Sequence, residues 1–186
     1  MYIFIIHVGD NVNVGHTIWM TGLPCSGKTT IAEMTAKKIR EQYKIPVIVL
    51  DGDVVRKHIT YDLGYTKEER DKNIRTIADI CNVINMNDVL CIASIISPTK
   101  EIRDYAREKI SKFHEVYVKC PQKICEKRDV KGHYKDYRFG KIQNFVGMNI
   151  PYDEPESPGI ILNTNRESPQ ESCDRLIRFI FKGLKE

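Results

Sequence analysis

The run Gly22-Leu23-Pro24-Cys25-Ser26-Gly27-Lys28-Thr29 spells G-x-x-x-x-G-K-T and constrains this chain more than any other stretch. Glycine at both ends lets the backbone curl until successive N–H groups face one concavity, which a helix N-terminus completes as an anion cradle. In such a cradle Lys28 reaches the β and γ phosphates of a nucleotide, and the Thr29 hydroxyl ligates Mg²⁺. The flanks have the required character. His16–Thr21 reads as a buried strand, and between Thr30 and Tyr43 the stripe Ile31, Met34, Thr35 and Ile39 recurs at helical spacing. A glycine turn with no ligand is the plainer reading of the same letters.

A chain of 186 residues fits one domain, and at this size folding buries about 70% of the unfolded surface, enough for a core without staples. The six cysteines include no C-x-x-C pair and no His-rich zinc spacing. Free thiols in a reducing compartment follow, which makes the cytoplasm the expected location. Met1–Val8 is apolar but lacks a basic flank and falls far short of the ~20 residues of a membrane span. It reads as an extra strand or an extension, with no membrane partner.

Lys123–Lys141 holds seven Lys or Arg against three acids, an excess equal to the +4 net charge of the whole chain. Such a segment is a solvated face, a nucleic-acid surface, or a cover for a polyanionic small ligand. Gly132, His133, Tyr134, Gly140 and Gly147 argue against one continuous helix. A lid over phosphates, residues 129–150, is the preferred reading because the phosphate loop already supplies the anion. Too few aromatics are interleaved for a nucleic-acid stacking platform.

Strand signals at His16–Thr21, Pro46–Asp51, Val89–Ile96, Glu115–Cys120 and Gly159–Thr164 alternate with helical stretches. That alternation predicts an α/β fold of the phosphate-loop nucleoside triphosphate hydrolase type, a five-stranded parallel sheet flanked by helices. The expected organisation is a single domain over 1–186, with an N-terminal extension at 1–15. Thr66-Lys67-Glu68-Glu69 and Ser168-Pro169-Gln170-Glu171 open helices as capping boxes, and Ser97-Pro98 reads as an N-cap and first helical residue. The proline-rich run Pro151–Pro158 is expected to be irregular.

The third strand ends in Ser97-Pro98 with no acid for Mg²⁺, which argues against a motor ATPase, and no Asn-Lys-x-Asp stands for guanine reading. Carboxylates appear instead at the end of the second strand, as Asp51-Gly52-Asp53. One could face Mg²⁺ and the other an acceptor hydroxyl, the two functions phosphoryl transfer needs. A polar turn in which Asp53 caps the next helix is the alternative. Arg56 shares a helical face with Asp53, either as an ion pair or as an anion site. Arg70 and Asn73 present a fork and an amide from the polar side of their helix, opposite the stripe Ile74, Ile77, Cys81 and Ile84.

These residues resemble the adenylylsulfate (APS) kinases, which phosphorylate the 3′-hydroxyl of APS with ATP to give PAPS and ADP in sulfate activation. The resemblance rests on GLPCSGKTT from Gly22, DGDVVR from Asp51, LGYTKEERDKNIR from Leu63, ASIISP from Ala93, RDVKGHYK from Arg128 and NFVGMNIPYDEPESP from Asn144. It implies that Gly22–Thr30 hold ATP, with Lys28 and Thr29 on the phosphates and Mg²⁺, and that Arg128 lies near the base. Asp51 and Asp53 would divide metal binding and activation of the acceptor hydroxyl. Arg56, Arg70, Asn73 and Lys131 would hold the phosphosulfate and ribose, and Tyr65 and Phe145 would sandwich the adenine. Ile96 and Ser97 would line the acceptor pocket, Ser97 standing where the family is sometimes described as phosphorylated. Homodimers are common in the family. This chain departs from the family pattern at Tyr65, Thr76, Thr99, Lys100, His133, Val146 and Asn149. Those departures concern the acceptor side, leaving a kinase of another hydroxyl, or a non-catalytic nucleotide binder, as alternatives.

Overall fold

The computed structural model describes residues 14–184. Its elements run β1 (Thr17–Thr21), α1 (Lys28–Tyr43), β2 (Val47–Asp51), α2 (Gly52–His58), α3 (Lys67–Met86), β3 (Leu90–Ser94), α4 (Lys100–Lys109), β4 (Phe113–Lys119), α5 (Gln122–Arg128), α6 (His133–Arg138), β5 (Ile160–Asn163) and α7 (Pro169–Gly183). The reading of Met1–Val8 lies outside the described residues.

The strands form one parallel sheet in the order β2-β3-β1-β4-β5. Because β1 and β3 are buried on both faces, they read as apolar runs without alternation, as strands covered on both sides do. Alternate residues still divide between the faces. Ile18 and Met20 join Leu90, Ile92, Val116 and Val118 against α1 and α7. Trp19 joins Cys91 and Ala93 against α3 and α4. The segment 129–150, called the lid after its expected role, contributes to a third cluster, in which Tyr134 and Phe145 pack with Cys120 and Cys125. Among the described residues no helix is long and apolar enough to cross a membrane.

Both capping boxes are present, at Thr66 with Glu69 and at Ser168 with Glu171. Replacing Thr66 by alanine removes the acceptor for the Glu69 N–H and is expected to cost about 1 kcal/mol, read as a lower urea midpoint at unchanged slope. The basic segment is not one helix: α5 ends at Arg128 with Asp129 as its cap, and Gly132, with φ of 72°, opens α6. The expected cap at Ser97 is a correction. Helix α4 starts at Lys100 with Thr99 as its cap, its hydroxyl accepting from Ile102 N, because the Ser97 hydroxyl is taken by Trp19.

Candidate active site

The chain passes from β1 outward to β2, returns to β3 beside β1, and then crosses to β4 on the other side. Ligand crevices form where a parallel sheet changes its lateral direction, outside the carboxyl ends of the strands. A cavity of about 990 Å³ lies there, walled on one side by the phosphate loop and on the other by α2, α3 and the lid.

The loop after β1 curls tightly, with Ser26 N donating to Leu23 O at 3.1 Å. Gly22 permits this because a Cβ there would sit 2.5 Å from the Val118 carbonyl oxygen, and Gly27 turns the chain into α1 at a φ of 104°. No acid occupies the first turn of α1, so its free N–H groups favour an anion. Lys28 Nζ donates to Gly22 O at 2.9 Å and to Leu23 O at 2.8 Å. Burial pushes its ammonium down to about 8, against the smaller opposing pull of Cys125, Cys25 and the two aspartates. A phosphate needs that ammonium charged. Nucleotide affinity is therefore expected to fall as pH rises above 8, approaching about tenfold per unit. An equilibrium titration of ATP across that range checks it, and a flat profile would contradict it.

Thr29 Oγ1 donates to Asp51 Oδ2 at 2.7 Å and lies 3.2 Å from Ser94 Oγ. The other Asp51 oxygen accepts from Asp53 N at 2.9 Å and from Val54 N. So Asp51, not Asp53, caps α2, and Asp53 is left in the first helical turn with its carboxylate on the cavity. That carboxylate pairs with Lys131 of the lid. Both side chains are more than half exposed, so the pair is worth no more than about 1 kcal/mol and exchanges readily.

The residues that the resemblance assigns to the acceptor side line the same cavity. Arg56 donates to Leu63 O at 3.0 Å and to Gly64 O at 2.6 Å. Arg70 donates to Tyr65 O at 3.0 Å and to Asn144 O of the lid. Their guanidinium carbons lie 4.6 Å and 5.3 Å from the centre of the Tyr65 ring. Burial, and then the charge of Arg56, lower the Arg70 pKa, as expected where cations crowd without an anion. Asn73 is not on the solvent side of α3. It is buried, its carbonyl oxygen accepting from Thr60, and it still lines the cavity. Phe145 is also buried, edge-to-face on Tyr134 at 4.7 Å, while still lining the cavity.

Arg128 donates to Ser26 O at 3.2 Å and to Thr164 O at 2.6 Å, fixing the end of β5 against the phosphate loop. Gly22, Leu23 and Ser26 shape the loop from behind; Pro24, Cys25, Gly27, Lys28, Thr29, Thr30 and Arg128 line the cavity. Ile96 and Ser97 line it from the β3 side. Sequence reasoning missed Ser94, Thr164 and Glu167, which also line it. Thr164 was signalled only by its place at a strand end. Among the described residues no group of three or more His, Cys, Asp or Glu is gathered for a metal.

A family model for adenylylsulphate kinase matches residues 14–163. An adenylyl-sulfate kinase of Halothermothrix orenii is 44% identical over 166 residues, 89% of each chain. One from Gloeothece citriformis is 47% identical over 163 residues, 88% of this chain and 92% of that one. The solved APS kinase of Mycobacterium tuberculosis, in complex with AMPPNP and APS, superposes with a TM-score of 0.86 at 34% identity, over 90% of this chain and 98% of that one.

Proposed function

The chain belongs to the adenylylsulphate kinase family, and we propose that it transfers the γ-phosphoryl group of ATP in line to the 3′-hydroxyl of adenylylsulfate. One observation carries this reading. A single cavity is lined both by the loop that grips a triphosphate, at Lys28 and Thr29, and by the anion-seeking wall of Arg56, Arg70 and Lys131 facing it. Its volume of about 990 Å³ stands at the upper end of ordinary small-molecule sites, as two nucleotides side by side require.

Phosphoryl transfer asks little covalent chemistry of a protein and much positioning and charge neutralisation. Lys28, already seated on two loop carbonyls, carries its charge to the β and γ phosphates. Thr29 and Asp51 suit Mg²⁺, being hard oxygen donors held together at 2.7 Å, and Mg²⁺ takes only one or two such groups alongside phosphate and water. When bound, that ion supplies charge neutralisation at the phosphates. Asp53 accepts the proton of the attacking hydroxyl once the anionic acceptor draws Lys131 off its carboxylate. Arg56, Arg70 and Lys131 hold the phosphosulfate, and the faces of Tyr65 and Phe145 receive the adenine. Arg128 stands at the base of ATP.

The test is ADP release measured with adenylylsulfate and with other nucleotide and sugar hydroxyls. Release that depends on adenylylsulfate is expected. Equal stimulation by AMP or by a sugar would assign the acceptor side to another substrate.

A further inference from the structure

The stretch of cavity wall at Ile96–Pro98 is held by groups that lie behind it. Ser97 has a φ of 39°, a left-handed conformation that residues with a Cβ avoid. Its side chain is fully buried, and its hydroxyl accepts from Trp19 Nε1 at 3.1 Å. Its carbonyl accepts from Arg103 Nη1 at 3.0 Å. On either side, Thr21 Oγ1 donates to Ile96 O at 2.6 Å, and Asp153 N donates to Pro98 O at 2.8 Å. Unfavoured backbone persists only where its surroundings over-determine it, and such places cluster at functional sites.

Arg103 is itself buried, as is its partner Glu115. Arg103 Nε lies 3.0 Å from Glu115 Oε1, while the second Glu115 oxygen takes Arg107 Nη2 at 2.6 Å. A buried ion pair is a poor stabiliser compared with apolar packing of the same volume, so its presence asks for another reason. The reason lies in the guanidinium, which faces a carboxylate with Nε and donates to a backbone carbonyl with Nη1, two points fixed in one rigid plane that a lysine's single nitrogen does not reproduce.

We infer that Arg103, oriented by Glu115, is a positioning residue for the acceptor side of the reaction, fixing Ile96 and Ser97 where they line the cavity through its grip on the Ser97 carbonyl. The inference rests on the reading above that this wall faces adenylylsulfate. It also supplies its own reporter: Trp19 is the chain's one tryptophan, and its indole N–H is bonded to the Ser97 hydroxyl.

The experiment compares wild type, Arg103→Lys and Ile110→Val, the last a core change at the buried end of the same helix. Arg103→Lys is expected to raise KM for adenylylsulfate about tenfold, the value of a bond from a charged donor, leave KM for ATP unchanged, and shift the Trp19 emission. Ile110→Val is expected to lower Tm without moving either KM. Unchanged kinetics in Arg103→Lys, equal rises in both KM values, or the same pattern in Ile110→Val would overturn the inference. Should Arg103→Lys not fold, wild type still decides the matter. Saturating adenylylsulfate with ADP must change Trp19 emission, and a silent tryptophan overturns the proposal. A wild type that does not turn adenylylsulfate over fails the functional reading instead.

Discussion

Lys28→Met is expected to abolish turnover, with kcat/KM for ATP falling about 10³-fold or more, while the nucleotide-free protein melts close to wild type. The two halves of this expectation have one cause. Lys28 sits in the loop with its charge desolvated, held at about 8 instead of the ordinary 10.5, a difference worth about 3 kcal/mol against the folded state. Because the folded value lies below the unfolded one, the penalty is fully present below pH 8 and fades as pH rises through 8 toward 10.5. Methionine fills the same space and removes the penalty. It also leaves Gly22 O and Leu23 O without their shared donor, at about 1–3 kcal/mol for a buried carbonyl and less for a part-buried one, so the two effects offset to a small net change in stability. Thermal melts with steady-state kinetics check both halves. A variant that retains turnover would show that the loop does not carry the reaction; one that unfolds would show that Lys28 is structural.

Asp53→Asn is expected to lower kcat about 10²- to 10⁴-fold, the range for losing a positioned base, with the Kd of ATP little changed. The separation follows from the geometry. Asp51 carries the bonds to Thr29 and to the start of α2, so the nucleotide side stays intact when Asp53 is altered. Only the pair with Lys131 is lost, and an exposed pair contributes about 1 kcal/mol or less to stability. Single-turnover rates and a nucleotide titration measure the two quantities independently. Weakened ATP binding at a normal rate would reverse the assignment of the two aspartates.

The parts of this site that could be read from the sequence are those whose function depends on near neighbours. A curled loop needs its glycines within six positions, and a capping box needs its acid at the third, so both leave local spellings. The strand alternation likewise exposed the parallel sheet. Its order did not follow, because nothing local records that β3 pairs between β1 and β2. Contacts across long separations were equally hidden: Lys131 on Asp53, Trp19 on Ser97 and Arg103 on Glu115 are each the product of folding. The burial of Asn73, which does line the cavity, was missed because an amide in a helix reads as surface unless its partner, here Thr60 in the preceding loop, is known. Ser97-Pro98 misled for a related reason. The letters suit a helix start, yet the indole beneath Ser97 held it in the wall, and the cap fell to Thr99.

Departures from the family pattern fall into two groups once placed. Thr99 caps α4, and Lys100 pairs with Asp104 at 3.1 Å, so neither is among the residues that line the cavity. Asn149 braces the lid from behind, accepting from Phe145 N at 2.9 Å. Tyr65, His133 and Val146 do line the cavity, and it is through them that this chain's handling of its acceptor would differ.

The most direct test follows the phosphoryl group itself. With ATP labelled at the γ position and adenylylsulfate both present, the account predicts label on the 3′-oxygen of adenylylsulfate, one ADP for each label transferred, and an unlabelled protein. ADP formed equally fast without adenylylsulfate, or label retained on Ser97, would contradict it.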